Sequence, residues 1–198
     1  MKHINVLVIG HSWVRDLNRL WRNTFPPFQV CQENHTLTIK TYAKPGGTYL
    51  DFISDFEGLK PLLQQNPEVI VLLLGSNDIK VHVPLQSVKN HAVDLYRKIK
   101  EVASNSKLYT VEIEERYLEQ TNRHGTPEEC EYRRLSRHLN RLLKKAPYKD
   151  GVLMIRGNIL SDKKLYKRDR THLNNIGLRN YADWLEKSII HYYDKQQN

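Results

Sequence analysis

The sequence predicts an α/β fold, a five-stranded parallel sheet with helices on both of its faces. Two observations predict it. Runs rich in Val, Ile and Leu alternate with longer amphipathic stretches over the whole chain, the pattern of strands and helices taking turns. One run, Val69 to Leu74, is apolar at every position, as a central strand covered on both faces must be. Repeated strand and helix units joined by right-handed crossovers then close into a parallel sheet between two helical layers.

In chain order, strands are expected at Ile4–Ile9, Leu37–Tyr42, Val69–Leu74, Leu108–Ile113 and Val152–Ile155. Helices are expected at about Val14–Arg22, Leu50–Gln65, Leu85–Val102, Glu128–Lys145 and Leu173–Tyr193. Loops are marked by Phe25-Pro26-Pro27, Lys44-Pro45-Gly46-Gly47, Asn66-Pro67 and Ala146-Pro147. In the fourth helix Leu135, Leu139, Leu142 and Leu143 form the apolar stripe, with Arg133, Arg137, Arg141, Lys144 and Lys145 on the solvent side. With no internal repeat, low-complexity tract or linker, 198 residues suit one domain spanning 1–198.

Hydrophobic residues at 39% and charged residues at 27% fit a globular chain rather than a disordered one. The longest apolar run falls far short of the roughly 20 residues that cross a bilayer. The N-terminal stretch "MKHINVLVIG" runs into His11 and Ser12 without a small-residue cleavage site, so it reads as a strand rather than a signal peptide. Two cysteines, Cys31 and Cys130, without CxxC spacing support neither a disulfide framework nor a zinc knuckle. A reducing, intracellular compartment, most simply the cytoplasm, is the expectation. Neither HExxH nor His-x-His spacing occurs, and no cofactor is called for.

The net charge of +9 is unevenly placed: residues 1–130 hold 15 Lys+Arg and 15 Asp+Glu, whereas residues 131–198 hold 16 and 7. Lys163, Lys164, Lys167, Arg168 and Arg170 bracket Asp169 and His172, and the basic positions from Arg133 to Lys145 add a second positive face. Such asymmetry suits a nucleic acid or anionic lipid surface, or an anionic substrate such as an acyl phospholipid or acidic glycan. An ordinary solvated helix face explains the same residues equally well.

In an open parallel sheet, reactive groups collect beyond the carboxyl ends of the strands. Ser12 follows the first expected strand, Gly46 and Gly47 the second and Asn77 the third, so all three should face one crevice. Serine becomes a nucleophile when a base takes its proton, and the base works best when a third group fixes its tautomer. Asp169 and His172, three residues apart in "KRDRTHLNNIG", can supply that pair. Donors for a tetrahedral oxyanion are available from the Ser12 N–H, an N–H of the Gly46-Gly47 loop and the Asn77 amide.

The blocks "IGHSW", "KPGGTYLD", "LLGSND" and "DRTHLNNIG" resemble the SGNH or GDSL hydrolases in order and spacing over nearly the whole chain. GxND and DxxHLN are the specific signatures among them. The resemblance implies a flavodoxin-like three-layer α/β/α sandwich and an esterase that forms an acyl-enzyme on Ser12. It makes His172 the base and then the acid, Asp169 its orienter, and Ser12 N–H, Gly46 N–H and Asn77 the oxyanion hole. Members cleave carboxylic esters, acetyl groups on sugars, lipids and thioesters; short acyl or acetyl esters are the first expectation here, since the chain has little length for a lid. One departure stands out: position 11 is His where the family usually has Asp, which should reshape the Ser12 loop more than remove the chemistry.

Each residue also has an ordinary explanation. Ser12 can cap the first helix, Asp169 or Thr171 the last, Asn77 and Asp78 can form a turn, and Trp13 can either line a pocket or pack under the first helix. The alternative function is a weak or inactive module of the same fold whose basic last third binds nucleic acid or anionic membrane, a setting the family's retroelement members provide.

Overall fold

A computed structural model of the chain describes residues 1–24, 29–32, 34–114, 127–145, 152–157, 162–169 and 171–197. The expected loops at 25–27 and 146–147, and Arg170, lie outside the described residues. Among these residues the sheet has six strands: β1 Lys2–Gly10, β2 Gln29–Gln32, β3 His35–Ala43, β4 Val69–Leu73, β5 Lys107–Val111 and β6 Val152–Ile155. They lie in the order β2-β3-β1-β4-β5-β6. All five expected strands are there and run parallel.

The sixth strand corrects the five-stranded expectation. Strand β2 is an antiparallel edge of four residues on β3, with Val30 opposite Leu37. A four-residue edge strand with Val30 and Cys31 between glutamines offers no apolar run to read.

Helices fill both faces: α1 Ser12–Thr24, α2 Tyr49–Ser54, α3 Phe56–Leu63, α4 Ser76–Lys80, α5 Leu85–Val102, α6 Pro127–Lys145 and α7 Asn175–Lys195. The expected helix over 50–65 is two helices. They break at Asp55, where ψ is 26° and the carboxylate accepts from the Tyr42 hydroxyl (2.8 Å) instead of capping α3. Helix α4 is too short to show a helical period in sequence.

The period-two alternation of β1 and β4 sorts their apolar runs between the layers. Val6, Val8, Val69 and Val71 pack with α1 and α7, through Val14, Leu17, Trp21, Tyr181, Leu185 and Ile189. Leu7, Ile9, Ile70 and Leu72 pack with α2, α3, α5 and α6. That double cover is why Val69–Leu73 is apolar without interruption. Each fully buried Val, Leu or Ile contributes about 1.5–3 kcal/mol. In α6, Leu139 and Leu143 are buried while Leu135 and Leu142 are half-buried. Among the described residues no helix is long and apolar enough to cross a membrane.

Candidate active site

Strand β1 ends on Gly10, flanked by Ala43 of β3 and Leu73 of β4. A Cβ at Gly10 would stand 2.5 Å from the Leu73 carbonyl oxygen, so only glycine lets the chain turn this close to β4. The turn leads at once into α1. Its cap is His11: the imidazole Nδ1 accepts from Trp13 N–H (3.3 Å), and the His11 carbonyl accepts from Val14 N–H (3.0 Å). This role requires an unprotonated Nδ1. It replaces the reading of Ser12 as the cap and leaves the serine hydroxyl for other use. Histidine at position 11 thus reshapes the start of α1 through a side-chain acceptor.

Ser12 Oγ lies 3.0 Å from His172 Nε2, and His172 Nδ1 lies 2.7 Å from Asp169 Oδ2. The other carboxylate oxygen of Asp169 accepts from the backbone N–H groups of Thr171 and His172, each at 2.9 Å. Partial burial pushes this carboxyl up, but the His172 amide and imidazole and the Thr171 amide outweigh it and hold the group down at about 2. An ionised Asp169 only accepts, so Nδ1 carries the imidazole proton and Nε2 presents its lone pair to the serine hydroxyl.

The loop that carries Asp169 and His172 owes its shape to hydrogen bonds. Tyr166 and Leu173 form a two-residue bridge, and Lys167 N–H donates to the His172 carbonyl (2.8 Å). Asn174 ends the loop: Oδ1 accepts from Ile176 and Gly177 N–H at 3.0 Å each, and Nδ2 donates to the Lys164 carbonyl. Asn174 is therefore the cap of α7, displacing the alternatives of Asp169 or Thr171 and setting the helix start after Leu173, where the sequence pattern had placed it. The Asn of "HLN" directly before an apolar-periodic stretch was the available signal.

Asn77 lies in α4, immediately beyond β4, and its Nδ2 donates to the Gly47 carbonyl (3.0 Å). The Lys44-Pro45-Gly46-Gly47 turn closes by a Gly47 N–H bond to the Lys44 carbonyl (2.9 Å), with Gly46 at φ +78°. Proline followed by a residue with positive φ is a type II turn, which favours glycine at 46. Gly47 N–H is committed to this turn. Below it, the fully buried Asp78 carboxylate accepts from Tyr49 N–H at 3.2 Å, joining α4 to α2. Burial, only partly offset by backbone hydrogen bonds, raises the Asp78 carboxyl to about 6.

Ser12, Trp13, Asn77, Lys80, Glu114 and Tyr132 line one cleft over the carboxyl ends of β1, β4 and β5, with a cavity volume of ≈ 40 Å³. The structure thus brings Ser12, His172 and Asp169 into direct contact and places Asn77 on the same cleft. Gly46 stands back from the lining, linked to Asn77 through its neighbour Gly47. Trp13 answers both readings of it: it lines the cleft, and it is 7% exposed with its ring edge-to-face on Tyr181. Sequence reasoning missed its hydrogen bond to the Thr171 carbonyl (3.1 Å), because the two residues are 158 positions apart and nothing local signals the pairing.

The basic residues singled out in the sequence fall on α6 and on the loop that carries His172. On α6, Arg137, Arg141, Lys144 and Lys145 are exposed and Arg133 is half-buried. Lys144 pairs with Glu112, a lining residue. Lys164, Lys167 and Arg168 are exposed beside the base loop, Lys167 lying 3.8 Å from Asp16 of α1. Lys163 forms part of a 3-10 turn at Lys163–Leu165.

Residues 8–179 match the model of the GDSL-like lipase/acylhydrolase family. Among solved structures, the chain is similar to the psychrotrophic esterase EstA from Pseudoalteromonas sp., at 17% identity, covering 96% of this chain and 98% of that one with a TM-score of 0.68. A Clostridium thermocellum family 3 carbohydrate esterase is 19% identical, with 100% of both chains covered and a TM-score of 0.62. A GDSL-like lipase from Bacteroides thetaiotaomicron is 12% identical, with 95% of this chain and 88% of that one covered and a TM-score of 0.67. No curated protein sequence matches the chain.

Proposed function

The chain belongs to the GDSL-like lipase/acylhydrolase family, which makes it an ester-hydrolysing enzyme, and from that premise we propose that it cleaves short-chain acyl or acetyl esters through an acyl-enzyme on Ser12. The observation that carries this reading is the unbroken chain of contacts from Ser12 Oγ to His172 (3.0 Å) to Asp169 (2.7 Å). A cleft of only ≈ 40 Å³ favours a short acyl group. The Clostridium thermocellum neighbour is a carbohydrate esterase, a class consistent with an ester of a polar alcohol.

Ser12 Oγ attacks the ester carbonyl carbon while its proton passes to His172 Nε2, and the carbonyl electron pair moves onto oxygen. The imidazolium so formed is held by the ionised Asp169, whose carboxylate faces Nδ1–H. Collapse of the tetrahedral intermediate expels the alcohol oxygen, which takes the proton back from Nε2. Water then attacks the acyl-serine by the same route and releases the carboxylic acid and the free hydroxyl.

The oxyanion meets the Ser12 N–H and one Asn77 amide N–H, while Gly46, whose N–H is the third expected donor, stands back from the cleft lining. Gly47 N–H is excluded because the turn already uses it. Asn77 gives one amide proton to Gly47 and keeps a second, so the bond that orients the amide does not exhaust it. Each such donor is worth about 3 kcal/mol in the transition state.

Ser12→Ala should reduce hydrolysis of p-nitrophenyl acetate to background while the thermal midpoint stays within a few degrees. A fluorophosphonate probe should label the wild-type chain at Ser12 alone, a natural choice given that the Pseudoalteromonas esterase was solved inhibited by monoethylphosphonate. Undiminished turnover in Ser12→Ala, or labelling at another residue, overturns the assignment.

A further inference from the structure

We propose that Trp13 is a positioning residue for ester cleavage, its indole N–H tying the loop that carries His172 to the helix that carries Ser12. The inference rests on the reading of Ser12 and His172 given above. Trp13 Nε1–H donates to the Thr171 carbonyl at 3.1 Å. The same peptide unit offers its other end, the His172 N–H, to Asp169 Oδ1 at 2.9 Å. A peptide unit is planar, so binding its C=O on one side and its N–H on the other fixes the plane. That plane sets the direction in which the His172 side chain leaves the backbone, and hence where Nε2 falls.

The indole is itself held in place. Its ring stands edge-to-face on Tyr181 of α7, with centroids 5.1 Å apart and planes 82° apart, and Tyr181 in turn packs against Trp184 at 5.0 Å. Its backbone N–H is taken by His11. By contrast, bonds such as Lys167 N–H to the His172 carbonyl, and Asp169 to two backbone N–H groups, close within the base loop. They give the loop its shape but do not place it against α1. Links between α1 and the loop also include the ion pair from Lys167, an exposed side chain, to Asp16 at 3.8 Å, and the Ser12 to His172 contact that needs positioning. Trp13 is the buried, directional link among these. As the residue next to Ser12, it also makes one dipeptide hold both the nucleophile and the clamp on the base.

The test removes the N–H and keeps the ring. Trp13→Phe retains the aromatic contact with Tyr181 but has no donor. Site-specific replacement of Trp13 by benzothienylalanine keeps the bicyclic shape with sulfur in place of N–H, and decides the matter if Trp13→Phe does not fold. With p-nitrophenyl acetate, either change should lower kcat about tenfold and leave KM within twofold, since a small displacement of the base is felt in the reaction and not in substrate binding. Fluorophosphonate should still titrate one Ser12 per chain, at a rate reduced by the same factor. Three results overturn the proposal: unchanged kcat and labelling rate in the folded variant; a loss of titratable sites with unchanged rate per site, which marks a purely structural role; or a raised KM at constant kcat, which marks a pocket wall. If wild-type Ser12 is not labelled at all, the reading of the triad itself fails, an outcome distinct from these.

Discussion

The two halves of the site are held in different ways. Ser12 and Asn77 ride on the first turns of helices that start directly from the central strands, over fully buried residues such as Val14, Leu17 and Ile79, the last 3% exposed. Asp169 and His172 sit on an irregular loop with side chains 50% and 28% exposed, where hydrogen bonds from Asn174, Lys167 and Trp13 supply the geometry. Packing is non-directional and resists displacement collectively, whereas each hydrogen bond fixes one angle and can be lost singly. Substitutions in the packing beneath the nucleophile should therefore be read mainly in stability, and substitutions in the hydrogen bonds that hold the base mainly in rate.

Asp169→Asn tests the base side with the largest expected effect. The amide oxygen can still accept from Thr171 and His172 N–H, so the loop keeps its shape. Its NH2, however, faces His172 Nδ1, which must then accept, placing the ring proton on Nε2 opposite Ser12. A base in the wrong tautomer should lower kcat by about 10²–10⁴. The wild-type carboxyl, lowered to about 2 in the fold, favours the folded state above about pH 4 and loses that contribution as pH falls through about 2. Retained activity in Asp169→Asn would break the comparison on the base side.

Leu17→Ala tests the packed side. Leu17 is fully buried beneath α1, one turn and a residue beyond Ser12. Removing its side chain should cost about 2–5 kcal/mol in urea unfolding through lost burial and the cavity left behind. The rate per fluorophosphonate-titrated site should stay within twofold of wild type. A large fall in that rate would show that the nucleophile depends on fine packing as strongly as the base depends on its hydrogen bonds.

The same contrast explains what the sequence discloses. Strands whose both faces are covered leave continuous apolar runs, so Val69–Leu73 and Val152–Ile155 were legible nearly to the residue. Edge strand β2 and five-residue helix α4 bury too little to leave a period. The residue types of the site were legible because acyl transfer restricts them to a hydroxyl, an imidazole, a carboxylate and an amide. Their supports were less so. His11 as the cap of α1 reads in sequence only as a missing Asp, and the bond from Trp13 to Thr171 joins residues far apart along the chain.

Asp78 is an exception on the packed side, an ionisable group with no exposed surface, and it yields the smallest effect. Its carboxyl is raised to about 6, first by burial and also by the nearby charge of Asp51, while Tyr49 N–H and its own backbone N–H pull the other way. A carboxyl whose value is higher in the folded than in the unfolded chain favours the fold below about pH 4, and that contribution is lost as pH rises through about 6. Asn at 78 can still accept from Tyr49 but cannot ionise. Its buried NH2 has a constant cost, so the sign of the change at any one pH is less informative than its trend. The thermal midpoint of Asp78→Asn minus that of wild type should therefore rise by several degrees from pH 5 to pH 8, at about 2–4 °C per kcal/mol for a chain of this size. A flat difference would mean that Asp78 keeps an ordinary carboxyl inside the fold, and that the packed half of the site tolerates a buried charge at no cost.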